Sequence, residues 1–257
     1  MPEARPGPTS PLFVQSLEKG LQVLEAFQAH RAMTLPEIAL AVDITKSSAQ
    51  RMVHTLESIG YLMRDPALKR FRLTAKAVSL GYGFLAKEPL LQNAYSILHR
   101  LAQECGESVN FSIPDGDDML FVMRIHSHRH IPVYMPTGTR IPMASSSSGR
   151  ALLAALPAET AAERLATVSL QPHTARTTTS RKELRRLVDE ARGAGYAYAD
   201  EEFFTGDLNV AAAVLADGRL PVAAVNISVP KPRWTLERAC EELAPLAMRA
   251  ARAIGQH

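Results

Sequence analysis

The chain of 257 residues has only two cysteines, one tryptophan and a formal net charge of +3. Cys105 and Cys240 stand singly in separate helical patterns, which excludes a disulfide framework and favours buried core thiols over a metal pair. No apolar run approaches the ~20 residues of a membrane span, and the proline-rich start, Met1 to Pro11, lacks the hydrophobic region of a secretory signal. The expectation is a soluble, cytoplasmic protein with no membrane partner. No internal repeat occurs, and the one biased tract is a short run of serines. With 46% hydrophobic residues, the chain buries a substantial core and is long enough for two domains. Its little charge is unevenly placed: Met1 to Ala86 holds 10 Lys+Arg and 7 Asp+Glu, whereas Lys87 to His257 holds 19 of each. A modest local excess suits a small module gripping a few phosphates, but does not identify nucleic acid by itself.

Between Lys46 and Leu56 the sequence writes a helix with two faces. Ala49, Met52, Val53 and Leu56 form an apolar stripe, while Ser47, Gln50, Arg51 and His54 repeat the same spacing on the other side. Every side chain of the second set can donate a hydrogen bond, and Lys46 adds a cation at the helix start, as base edges and phosphates require. A merely solvated face is the alternative for an isolated helix. The neighbours decide between them. Thr34 is placed to cap a short helix carrying Leu35, Ile38, Ala39 and Val42, and Asp43 and Ile44 make a brief turn into the Lys46 helix. An earlier helix, from about Gln15 to His30, carries Leu17, Leu21, Leu24 and Phe27 to cover the other two. Gly60 is placed to end the two-faced helix, and β-prone runs Tyr61 to Arg64 and Arg70 to Leu73 flank a turn with Pro66 at its second position. This is a winged helix-turn-helix. Its candidate DNA-contacting residues are Lys46, Ser47, Ser48, Gln50, Arg51 and His54 on the helix, with Lys69, Arg70 and Arg72 on the wing, where Arg64 adds a further cation.

A connecting helix from Thr74 to Phe84 follows, punctuated by Glu88-Pro89. Leu91 to Cys105 then reads as a helix stopped at Gly106. Strands are expected at Ser108 to Ile113, Met119 to His126 and Ile131 to Met135, then helices at Gly149 to Ala155, Ala158 to Ala166 and Arg181 to Ala194. Further strands are expected near Tyr196 to Asp200, Val210 to Leu215 and Val222 to Val229, with Asp115-Gly116-Asp117 and Asp217-Gly218 as hairpin turns and a last helix from about Leu236 to Ile254. Long helices around hairpin-linked strands make an α+β domain with a mainly antiparallel sheet.

From about Phe13 to the C-terminus this layout resembles the IclR family of bacterial transcription regulators. The matching pieces include Val14 to Leu21, Thr45 to Arg51, Leu56 to Leu62, Gly138 to Pro142, Gly149 to Ala154 and Gly195-Tyr196-Ala197, and their order and spacing carry the likeness. Asp115 to Asp118 and Val225 to Ser228 look most like the branch regulating aromatic-acid catabolism, such as the protocatechuate and para-hydroxybenzoate regulators. The resemblance implies an α+β protein of two domains: a winged helix-turn-helix over 13–73, a linker helix for dimerisation over 74–88, and a GAF-like effector-binding domain over 89–257. It departs from the family pattern at Lys69, where the wing turn usually carries glycine, and at Asn209, where members sensing small keto acids commonly carry cysteine. By position, the resemblance places effector contacts at Ser145, Ser146, Ser147, Asp200, Asn209, Asn226 and Ser228, with Ala199 as the alternative to Asp200 for the acidic position. Read without it, Ser145 to Ser148 before a helix is equally an anion site or a simple cap.

Two other chemistries compete. His126, His128 and His130 alternate and could share one strand face around a metal, yet Ser127 and Arg129 make a poor supporting shell beside an exposed strand end. The serine run invites a hydrolase reading, but it lacks the G-x-S-x-G elbow and no spacing nominates a base. The expected function is that of a DNA-binding transcriptional regulator, not an enzyme, needing no cofactor. It acts as a homodimer or a dimer of dimers on an inverted repeat in double-stranded operator DNA, under control of a small organic, aromatic acid. The alternative is an enzyme or metal sensor fused to a DNA-binding module.

Overall fold

Threonines at two turns fix where the helices of the N-terminal part begin. In the computed structural model, which describes residues 10–127 and 135–256, the chain divides into two units, Met1–Leu85 and Ala86–His257. The first runs α1 (Gln15–Glu25), a 3-10 turn (Ala26–Gln28), β1 (Met33–Thr34), α2 (Leu35–Ala41), α3 (Lys46–Ser58), β2 (Leu62–Asp65), β3 (Arg70–Leu73) and α4 (Lys76–Leu85). Thr34 caps α2 reciprocally: its hydroxyl accepts from the Glu37 N–H at 3.4 Å, and the Glu37 carboxylate accepts from the Thr34 N–H at 2.7 Å. The Thr45 hydroxyl accepts from the Ser48 N–H at 3.2 Å and so starts α3. Gly60, at φ 81°, ends α3 in the left-handed region, and the Tyr61 N–H returns to the Leu56 carbonyl at 2.8 Å.

Val23, Phe27, Ile38, Ala49, Val53, Leu56, Leu62 and Phe71 close this unit's core. The stripe of α1 differs from the expected one. Leu17 and Leu21 are 62% and 49% exposed, because α1 turns Val23 and Phe27 inward, with Leu24 at the margin, and its last turn tightens at Ala26. The wing forms as the pattern predicts, antiparallel with Leu62 opposite Leu73 and Asp65 opposite Arg70, and β1 adds on the far side of β3.

The second unit runs α5 (Pro89–Cys105), β4 (Ser108–Asp115), β5 (Asp118–Ile125), β6 (Arg140–Pro142), a 3-10 turn (Met143–Ser145), α6 (Ser147–Ala155), α7 (Ala158–Thr167) and α8 (Arg181–Ala194). It continues with β7 (Ala197–Asp200), β8 (Asp207–Ala216), β9 (Leu220–Pro230), α9 (Leu236–Glu242) and α10 (Ala244–Gly255). The six strands form one sheet, ordered β6-β5-β4-β9-β8-β7, in which every pairing is antiparallel. The expected strand at Ile131 to Met135 begins outside the described residues, and the short β6 is an addition that the sequence pattern does not signal. The expected single C-terminal helix is two helices, because Pro245, in the first turn of α10, has no N–H to continue the ladder of α9. Asp217 and Gly218 both have positive φ, 51° and 68°, as a tight hairpin turn matched to sheet twist demands. No helix among the described residues is long and apolar enough to cross a membrane.

Helices cover both sheet faces. Paired residues share a face and the face alternates along each strand. Val109, Phe111, Val210, Ala212, Val225 and Ile227 therefore lie on one side, against which α10 and α5 pack. The other side carries Ala197, Ala211, Ala213 and Ala224, small enough for α6 to lie close, with α8 behind it. α6 is buried along Ser147 to Ala154, and a Cβ at Gly149 would stand 2.2 Å from the Met143 Cα. That contact is with backbone and cannot be relieved by a rotamer change. Gly149→Ala is therefore expected to destabilise the second unit by about 1–3 kcal/mol or more, measured as a lower calorimetric transition for that unit. An unchanged transition would show that α6 does not sit this close.

Candidate functional site

Two groups of side chains stand out, one in each unit. In the first, the polar face of α3 and the β2–β3 hairpin bound a cleft of about 900 Å³. Lys46, Ser47, Gln50, Arg51 and His54 line it from the helix, and Arg64 and Lys69 from the hairpin. All of them are exposed, and Ala49, Val53 and Leu56 on the opposite side of α3 are buried, so the two-faced pattern is realised. The N-terminus of α3 contributes its positive dipole end beside Lys46.

Three expected residues lie elsewhere. Ser48 is half-buried, its N–H and hydroxyl both engaged with Thr45, so it belongs to the cap. Arg70 donates to the Ala32 carbonyl at 3.0 Å and to Glu37 at 3.2 Å, stapling the wing to the start of α2. The Thr34 N–H above all, with the Thr34 hydroxyl and Arg70, holds the Glu37 carboxyl below its ordinary pKa. Arg72 is exposed on the outer face of the hairpin opposite Met63 and does not line the cleft. Arg64, whose guanidinium lies 5.8 Å from the centre of the Phe71 ring, takes its place in the cleft. At the tip, the Asp65 carboxylate accepts from the N–H groups of Ala67 and Leu68 at 2.9 and 3.0 Å, and Lys69 adopts φ 52°. A glycine at this place would relieve that conformation.

In the second unit, the sheet face beneath α6 is polar toward its middle. Ser108, Asn110 and Ser112 alternate along β4, opposite Ser228, Asn226 and Ala224 of β9, and Asn209 of β8 lies beside Ser228. A register shift in β5 sets both Arg124, opposite Asn110, and Phe121, opposite Ser112, on this same face. One chain of hydrogen bonds crosses it. The Ser228 hydroxyl and the Asn209 amide donate to the Asp207 carboxylate at 2.6 and 2.8 Å, and the Ser147 hydroxyl donates to the Asn209 carbonyl oxygen. Burial pushes the Asp207 carboxyl pKa up, against the opposing pull of Ser228, Asn209 and the Arg124 charge.

Ser146 caps α6, accepting from the Gly149 N–H at 3.1 Å, so the capping reading holds for that one serine. The hydroxyls of Ser145, Ser148 and Ser112, both amide atoms of Asn110 and the Asn226 Oδ1 are buried without a hydrogen-bond partner among the described residues. Each such atom costs about 1–3 kcal/mol unless something satisfies it. Beside them, Phe121, Met135 and Ile141 pack with Phe203 and Phe204 of the loop after β7. Phe203 meets Phe204 edge-on at 4.7 Å and the His173 ring at 4.6 Å. Phe111, one residue from Asn110 and so on the opposite face, lies in the α5 and α10 core.

The structure thus gathers Ser145, Ser146, Ser147, Asn209, Asn226 and Ser228. It does not gather Asp200, whose carboxylate turns away to Arg176 at 2.5 Å and Lys231 at 2.8 Å while Ala199 takes the face beside Asn209. Asn110, Ser112 and Asp207 join the group without having been singled out, and Ser148, read only as part of the serine run before the helix, joins it too. The period-two row Ser108, Asn110, Ser112 was a readable signal, whereas nothing local marks Asp207. Among the described residues no three His, Cys, Asp or Glu side chains gather as for a metal, and His128 and His130 lie outside the described residues.

Residues 16–66 match the family model described as the IclR helix-turn-helix domain, and residues 83–256 the one described as the bacterial transcriptional regulator IclR C-terminal. The chain is 30% identical to the Pca regulon regulatory protein of Pseudomonas putida over 94% of its own length and 83% of that protein's. A solved transcriptional regulator from Rhodococcus sp. RHA1 shares 36% identity at a TM-score of 0.81, covering 95% of this chain and 98% of that one. An IclR homologue from Microbacterium hydrocarbonoxydans, solved with 4-hydroxybenzoate, shares 26% identity at a TM-score of 0.78, covering 94% and 98%.

Lys69 sets stability against charge. Its left-handed backbone costs about 1–2 kcal/mol for a residue with a Cβ, and glycine returns roughly 0.5–1 of that through the freedom it gains on unfolding. Lys69→Gly is expected to stabilise the first unit by about 0.5–1 kcal/mol in urea titrations while removing one cation from the cleft. A loss of stability would mean that the tip does not adopt this turn.

Proposed function

The chain belongs to the IclR family of bacterial transcriptional regulators, and from that premise we propose that its operator binding is controlled by a monocyclic aromatic acid held beneath α6. The family supplies the regulator and its DNA-binding role; the residues and the ligand class are our reading. The observation that carries it is the set of polar atoms of Asn110, Ser112, Ser145, Ser148 and Asn226 without a partner among the described residues, beside the aromatic cluster of Phe121, Phe203 and Phe204. The serine hydroxyls and the Asn110 amide N–H can donate to a carboxylate, the Asn110 and Asn226 amide oxygens accept from a ligand hydroxyl, and aromatic walls accept a ring. The 4-hydroxybenzoate complex of the Microbacterium homologue supports that class, and Asn209 departs from the cysteine expected of keto-acid sensors.

On the DNA side, Gln50 and Arg51 reach base edges, while Lys46, Arg64 and Lys69 hold phosphates, in the cytoplasm where operators lie. The domain reading is 13–73 for the winged helix and 74–88 for a dimerising linker. Supporting the latter, α4 has no buried residue, with Val78 74% and Leu80 59% exposed. An unpartnered apolar helix of this kind suits a second copy, and two winged helices related by a twofold axis read an inverted repeat. Gln50→Ala should cost roughly 1–3 kcal/mol on the proper operator and relax base preference. Arg64→Ala should weaken every sequence alike and lower the salt slope by about 0.9. Anisotropy titrations at several salt concentrations, with sedimentation to confirm a dimer, check this. Unaltered specificity in the first variant, or tight palindrome binding by a monomer, would overturn it.

For the effector, Ser145→Ala with Asn226→Ala should weaken 4-hydroxybenzoate by about 2 kcal/mol, roughly thirtyfold. Operator affinity of the ligand-free protein should stay the same, because the two chemistries sit in separate units. Calorimetry against aromatic and short aliphatic keto acids decides: binding of the aliphatic class alone removes the aromatic assignment, and undiminished binding by the double variant removes the pocket.

A further inference from the structure

Arg150, on α6, heads the described residues in size among fully buried side chains, and the reading above gives it no task. Its Nε donates to the Ala144 carbonyl at 2.9 Å and its Nη1 to the Tyr198 carbonyl at 3.2 Å. Nη1 and Nη2 also donate to the two carboxylate oxygens of Glu202, each at 2.5 Å. Glu202, 6% exposed, accepts in turn from the Thr178 N–H at 2.9 Å. The guanidinium thereby joins three stretches directly, the turn before α6, β7 and the loop after it, and through Glu202 a fourth, the segment that follows α7.

The three that Arg150 touches border the polar group. Ala144 precedes Ser145, Tyr198 precedes Ala199, and Glu202 precedes Phe203 and Phe204. The loop from Glu201 to Gly206 has positive φ at both ends, 57° and 81°, and is closed by the Gly206 N–H on the Glu201 carboxylate at 2.8 Å. Outside, Lys231 and Arg176 hold Asp200 and Glu201, and the hydroxyls of Thr174 and Thr177 donate to the carbonyls of Glu201 and Glu202 at 2.6 Å. On the inner side, Arg150 is the anchor.

Stability alone is a poor account of such a pair. Well-packed apolar side chains of the same volume usually serve a core as well as a buried ion pair or better. What they cannot do is fix direction. A planar guanidinium with forked donors sets the angle of a carboxylate and two carbonyls at once. We propose that Arg150 and Glu202 are a positioning pair for the effector pocket, holding the aromatic loop at Phe203 and Phe204 in register with the serines that open α6. The inference rests on the pocket reading of the preceding subsection.

The test replaces the pair by apolar volume, as Arg150→Met with Glu202→Leu, so that no lone charge is left buried and the fold survives. Hydrogen exchange of the full-length, ligand-free protein should then be at least tenfold faster at 142–149 and 197–206, with α8 and β9 unchanged and the melting temperature within a few degrees. In calorimetry, 4-hydroxybenzoate should bind at least tenfold more weakly, while operator affinity without ligand holds. Arg150→Lys, which keeps the charge but not the fork, should fall between. If the unmodified protein binds the acid and the double variant binds it equally well, or if exchange rises everywhere alike, the positioning role is overturned and the pocket stands. If the unmodified protein binds neither aromatic nor aliphatic acids, the pocket reading falls and the pair's role in it falls too.

Discussion

A sheet covered by helices on both faces leaves its middle strands no water, and in the second unit that middle carries amides and hydroxyls. Everything nearby answers to this constraint. Asp207, Asn209, Ser228 and Ser147 satisfy one another in a single chain, which uses up donors and acceptors and fixes the orientation of the Asn209 amide. Alanines flank the polar row on β7, β8 and β9 so that α6 can approach, and Gly149 permits the turn before α6 to pass at backbone distance. The remainder, on Asn110, Ser112, Ser145, Ser148 and Asn226, has no partner among the described residues. A core built for stability alone would fill these positions with aliphatic side chains, as the opposite face of the same sheet does with Val109, Phe111, Val225 and Ile227.

The first unit solves an easier problem. A three-helix core needs only one apolar stripe per helix, and the solvent face of α3 is then free to carry chemistry without structural cost. This explains why Gln50, Arg51 and His54 are all exposed, and why a wing cation such as Arg70 can be drawn off to bind Glu37 and Ala32 while Arg64 and Lys69 remain over the cleft. Arg64 stands directly opposite Phe71 and Arg70 one strand position from it, and the two have different tasks because strand register, not sequence proximity, decides which side each one faces.

Much of the fold was readable because its signals are local. Thr34 and Thr45 as caps, Gly60 and Gly106 as stops, and Asp217-Gly218 as a hairpin turn each act within a few residues, and the elements begin and end near them. The site was readable in part. Ser145 to Ser147, Asn209, Asn226 and Ser228 lie together in the structure, but Asp200 and Ala199 are adjacent and opposite in face, and only register separates them. The bulge in β5, which brings Phe121 to the polar face, leaves no mark in composition. Glu202 sits far from Arg150 in sequence, and Phe203 and Phe204 lie in a loop without periodicity. Such pairings are set by tertiary packing, which no local pattern encodes.

The same partnerless atoms bound what an effector can accomplish. Each one satisfied by a ligand returns about 1–3 kcal/mol, so a molecule reaching several of them gains ample affinity. Affinity by itself moves no equilibrium between DNA-binding states. Only the part of the interaction that differs between those states is transmitted, commonly about 1–3 kcal/mol, which corresponds to a 5- to 150-fold change in operator affinity. A rigid pocket present in both states would bind tightly and signal nothing. The wall most able to differ is the one attached by side chains instead of strand pairing, and in this unit that is the loop of Phe203 and Phe204, joined by Glu202 to an α6 that is otherwise locked against the sheet. On the pocket reading proposed above, a ligand must therefore touch both the fixed serines and the aromatic loop if its binding is to differ between the two states.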